Sequence, residues 1–96
     1  MYDIEFRPAV KAIHVAARGV LGGAVGASEK LRAEISRHLY AVQGFNKLTA
    51  SGDEIRARLV RNCQIWQADS APAENGDKTT VARNICDDAK WFADLY

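Results

Sequence analysis

A chain of 96 residues, 48% hydrophobic and 26% charged, is long enough for one core and too short for a second, substrate-holding domain, so residues 1–96 are read as a single domain. No run reaches the roughly 18 apolar residues of a membrane span, and two cysteines outside any CxxC spacing argue against a disulfide framework or a zinc ribbon. The net charge of +1 hides a segregation: residues 7–63 carry ten Lys or Arg against four Asp or Glu, and residues 64–96 carry three against six. Such a split suits either an anionic partner or an attraction between the two parts, on folding or across a dimer.

At the start, Tyr2, Ile4 and Phe6 alternate with Asp3 and Glu5, the period of a half-buried strand. One strand cannot stand alone, so this piece is expected as an extended N-terminal arm laid over helices. It lacks the basic-then-apolar build of a secretory signal, which makes a cytoplasmic protein the expectation. Pro8 suits the first turn of a helix. From there Ala9, Val10, Ile13, Ala16, Ala17, Val20, Leu21 and Ala24 share one face of a helix over about 8–25, and Arg7, Lys11, His14 and Arg18 line the other. Gly19, Gly22, Gly23 and Gly26 are costly inside a helix and need a reason, either close helix packing or a helix break. A phosphate loop would follow a strand and carry Gly-Lys-Ser/Thr, and neither holds here.

The second helix, about 29–43, has Ser28 as its expected N-cap, Gly44 as its left-handed stop, and a stripe of Leu31, Ile35, Leu39 and Val42. His38 falls inside that stripe with Glu34 one turn earlier, and reads as a buried, hydrogen-bonded histidine. Phe45 and Leu48 are expected to fold back onto the core. The third helix, about 53–67, with Ser51 or Asp53 as cap, buries Ile55, Leu59, Cys63 and Trp66; Arg58 and Arg61 lie outside and Arg56 at the edge of the arc. Residues 68–78, with Pro72 and Asn75-Gly76, read as an exposed turn. Thr79 or Thr80 then caps a helix over about 80–95 whose face is Val81, Ile85, Ala89, Phe92 and Tyr96. Asp88 projects into this face. A buried carboxylate needs a cation, and Arg56 or His38, equally out of place on their own helices, are the expected partners.

The fold class is therefore all-α, a bundle of about four helices. Its chemistry is sparse. His14, His38, Cys63 and Cys86 are scattered over four helices, unlike the closely spaced ligand pairs of zinc sites. Asp53-Glu54 and Asp87-Asp88 are sequence neighbours about 100° apart on a helix and make no catalytic dyad. No enzyme activity, metal or cofactor is expected. The expectation is a homodimeric interaction or regulatory module that acts by contact with another protein, of the kind a small inhibitor of phage or mobile-element origin would be. Its surface would comprise Arg7, Lys11, Arg18, Arg58 and Arg61 for an acidic partner, with Tyr40, Ile65 and Trp91, which fall off the core faces, for an apolar one. The alternative is a small nucleic-acid-binding regulator using the α-helical stripe Arg7, Lys11, His14, Arg18 or the run Arg56, Arg58, Arg61, Asn62, Gln64. About nine residues separate the two central helices, where a helix-turn-helix wants three or four.

Overall fold

The computed structural model describes residues 2–68 and 78–95, with side chains from Phe6 to Ala68 and from Thr79 to Leu95. Among these residues there are four helices and no strand: α1 (Tyr2–Leu21), α2 (Ala27–Gly44), α3 (Ala50–Ala68) and α4 (Lys78–Leu95). Each helix packs on two neighbours around a ring, α1 on α2, α2 on α3, α3 on α4 and α4 on α1, so the diagonal pairs stay apart. The short connections 22–26 and 45–49 force antiparallel neighbours, the arrangement of an up-down bundle. None of the described helices is long and apolar enough to cross a membrane.

The expected N-terminal arm is instead the first turns of α1. Three alternating residues weigh less than the helical register that Phe6 shares with Ala9, Val10, Ile13 and Ala17, all buried. Phe6 joins both ends of the ring. It stacks on Phe45 with centroids 4.2 Å apart and meets Phe92 edge-on at 5.2 Å. Such rings contribute through buried area and about 0.5–1.5 kcal/mol per pair beyond it. Pro8 thus lies inside the helix rather than at its first turn, with its ring exposed.

The end of α1 explains the glycines. Ala24 N–H donates to Gly19 O and Gly23 N–H to Val20 O, both at 3.0 Å, the paired bonds of a Schellman stop. Gly23 supplies the φ of +75° that this stop requires, and Gly26, also at +75°, turns the chain into α2. The helix therefore ends at Leu21, leaving Ala24 exposed in the loop and Leu21 only partly covered. Close packing through glycine steps is not the reason: a Cβ on Gly19 would sit 3.6 Å from the Ala27 Cβ, an ordinary contact.

Caps differ from their expected positions. Gly26, not Ser28, precedes α2, and α2 runs out at Gly44 into Phe45 in extended conformation, without a left-handed residue. Thr49 rather than Ser51 or Asp53 caps α3, its Oγ1 accepting from Gly52 N–H at 3.1 Å. Thr79 and Thr80 lie within α4, which begins at Lys78. The turn expected over 68–78 falls outside the described residues except for Ala68 and Lys78, as does Tyr96. Phe45 is buried and Leu48 packs against the core, so the 45–49 loop does fold back. At the far end Trp66 Nε1 donates to Ser28 O at 3.2 Å, tying α3 to the start of α2.

Candidate functional site

The polar residues out of place on their helices resolve into three separate arrangements. Asp88, on α4, is buried, and its carboxylate takes two bonds from a single guanidinium: Arg58 Nε to Oδ2 at 3.0 Å and Nη2 to Oδ1 at 2.8 Å. The expected partners Arg56 and His38 are thus replaced by Arg58, which sits on the α3 side facing α4 and reaches in from solvent. Its side chain is 60% exposed against 5% for Asp88. This bidentate fork is the strong form of a charge-assisted pair, and it removes Arg58 from the freely available cations. Beside it Asn62 is buried, its Nδ2 donating to Arg58 O at 2.9 Å. Asn62 is thus not on the outward run with Arg61 and Gln64 expected for it; its register, three residues after Leu59 and four before Trp66, is the signal that points inward.

Arg56 is half-buried rather than buried, and it faces α2. Nη1 donates to Val42 O at 3.2 Å, Gln43 O at 3.1 Å and Phe45 O at 2.6 Å, and Nη2 bonds Asp53. One cation therefore caps the carbonyl end of α2, where the helix dipole favours positive charge. His38 is likewise half-buried, with Nε2 3.1 Å from Glu34 Oε1 on its own helix, the local partner expected for it.

Of the expected contact residues, Arg7, Lys11, Arg18, Tyr40 and Arg61 are exposed. Ile65 and Trp91 are not: both are half-buried against the core, and Trp91 meets Phe92 edge-on at 5.0 Å. They lie over the core because the arc covered by two neighbouring helices is wider than the apolar stripe of one. The cationic residues do not form one patch either. Arg7, Lys11 and Arg18 stand on α1, whereas Arg58 and Arg61 stand on α3, the diagonal helix.

The outer face of α1 is the more open. Arg7, Lys11, Val15 and Arg18 follow one another at intervals of four, four and three residues, all exposed, in a stripe about 16 Å long. The three cations have no carboxylate within ion-pair distance among the described residues, unlike Arg32, Arg37, Arg56, Arg58 and Lys90. His14 leaves this stripe, contrary to its expected place, and turns toward α4. There it lines a shallow groove of about 230 Å³ with Arg18, Leu21, Cys86 and Lys90. Burial and then the charges of Arg18 and Lys90 hold the His14 imidazole below its usual 6.5, against a smaller opposing effect of Asp94 and Asp87. Burial and Asp87 push the Cys86 thiol up, while Arg18 and Lys90 pull the other way.

Cys63 and Cys86 are both free and buried, on α3 and α4. Burial, helped by Asp88, pushes the Cys63 thiol up to about 12, so it packs as a small apolar residue. Among the described residues no three His, Cys, Asp or Glu side chains cluster as metal ligands. No protein-family model matches the chain, and neither curated proteins nor solved structures provide a match.

Proposed function

We propose that the chain is a non-enzymatic interaction module, a small cytoplasmic regulator that binds an acidic surface of another protein through the outer face of α1. The observation that carries the reading is the stripe of Arg7, Lys11 and Arg18: three exposed cations with no carboxylate at ion-pair distance among the described residues, on a helix whose opposite face is locked into the core. Unpaired surface cations of one sign steer and orient an anionic partner. Val15, 61% exposed within the stripe, adds apolar contact at its centre.

Nucleic acid is the weaker alternative. In the run that resembles a recognition helix, Arg56 caps α2, Arg58 holds Asp88 and Asn62 is buried, which leaves Arg61 and Gln64 exposed for bases and phosphates. Tyr40, 88% exposed on α2, supports a second protein contact, with another copy of this chain as its occupant in a homodimer. Light scattering of the wild type and Tyr40→Ala tests that part: a dimer that dissociates in the variant supports it, and a monomeric wild type contradicts it.

The main reading is tested by passing nuclease-treated lysate over immobilised wild type and over the Arg7→Glu/Lys11→Glu/Arg18→Glu variant. The expected result is one or more acidic proteins retained by the wild type, released by salt and absent from the variant. Equal retention by both contradicts the reading, and so does tight, steeply salt-dependent binding of a duplex oligonucleotide in place of protein.

A further inference from the structure

The α1/α4 groove is more than a gap between helices. It is lined by Leu21 and Cys86 together with three basic residues, His14, Arg18 and Lys90. At about 230 Å³ it falls below the roughly 300–1,000 Å³ of pockets for drug-sized ligands, and is of a size for a side chain. Arg18 belongs to both the groove and the outer stripe, which makes the two surfaces continuous. Lys90 is held by Asp94 at 2.6 Å, but both side chains are well exposed, and such i,i+4 pairs are weak enough to exchange one carboxylate for another.

We infer that this groove is the anchor point for the acidic partner, taking a short segment in which an aliphatic side chain fills the dimple and a neighbouring Asp or Glu carboxylate sits between Arg18 and Lys90. The inference rests on the reading that the partner is an acidic protein, and adds the place where its chain is gripped. The apolar walls select the aliphatic side chain, and the cationic rim selects its acidic neighbour over an amide. His14 reports the event. Its neutral form is favoured by burial and by Arg18 and Lys90, with Asp87 and Asp94 opposing and Cys86 alongside. A carboxylate arriving at the rim favours the imidazolium, so binding takes up a proton and tightens as the pH falls toward the lowered His14 pKa.

The test uses the full chain and three probes: a blocked peptide centred on Glu-Leu-Asp, its Gln-Leu-Asn analogue, and inorganic phosphate. The imidazole signals of His14 and His38 are followed by NMR against pH and probe, with His14→Gln for assignment. The acidic peptide is expected to move the His14 signals and raise its titration midpoint while leaving His38 unchanged. Arg18→Glu and Lys90→Glu should each weaken it about tenfold or more, and Lys90→Gln, a milder change at an exposed position, should weaken it less. A silent His14 at millimolar peptide, equal binding of the amide analogue, or phosphate binding as tightly as the peptide would each overturn the inference. Lys90→Glu also separates it from the reading beneath it, because Lys90 lies outside the α1 stripe. If an acidic protein is still captured by that variant at full strength, the groove is not the anchor and the stripe stands; if the wild type captures none, both fall.

Discussion

Arg58 and Asp88 share one ion pair from opposite sides of the solvent boundary, so truncating each should have unequal effects. Arg58→Ala strands a carboxylate that is 5% exposed, and is expected to cost about 2–3 kcal/mol in urea unfolding. Asp88→Ala lets the largely exposed Arg58 swing into water and should cost less than about 1 kcal/mol. Equal losses would mean that the pair acts as a packed unit rather than as a compensated buried charge. His14 makes a pH prediction. Its pKa is lowered in the folded chain below 6.5, so the unfolded chain binds more protons in that window; stability is complete above pH 6.5 and declines as the pH falls through the folded value. His14→Gln should flatten this part of the profile, and an unchanged slope would contradict the assignment. At this scale the sequence was informative about which residues need explaining and silent about their partners. Asp88 is conspicuous in the register of α4, but choosing Arg58 over Arg56 requires knowing which helix lies on which side of α3.

Helix boundaries depend on backbone conformations that letters only partly disclose. The four glycines of 19–26 share one composition but not one role. Gly23 has a φ of +75° with open space around it, so Gly23→Ala is expected to cost about 1 kcal/mol through backbone strain alone. Gly19 lies inside α1 with room for a methyl group, and Gly19→Ala should leave thermal stability unchanged or raise it by up to about 1 kcal/mol. A large loss at Gly19 would restore the close-packing explanation. The stripes of α2, α3 and α4 were legible because period and burial agree over several turns. The start of α1 was not, since Tyr2, Ile4 and Phe6 fit a two-residue period while Phe6 also fits the helical one. Only the aromatic contacts with Phe45 and Phe92, made by distant segments, decide between them. Thr49 escaped for a similar reason: Ser51 and Asp53 are equally good capping residues, and the choice lies in where the 45–49 loop carries the chain.

The ring order of the bundle converts a linear charge pattern into separate surfaces. Part of the basic-to-acidic attraction is internal, in Arg58 with Asp88, whereas α4 itself balances Lys78, Arg83 and Lys90 against Asp87, Asp88 and Asp94 where it packs on α1. The outer face of α1 keeps three exposed cations outside such pairs; the sequence showed Arg7, Lys11 and Arg18 as a stripe but placed His14 in it where the structure has Val15. The groove beside it was not visible, because His14, Arg18 and Leu21 meet Cys86 and Lys90 only once α4 is known to neighbour α1. Backbone amide hydrogen exchange of the chain alone and with its captured acidic partner tests the account most directly. Slowed exchange along α1 between residues 7 and 21, extending to α4 around residues 86–90, is predicted, with α3 unchanged. Slowing confined to α3, or to α2 around Tyr40, would contradict it.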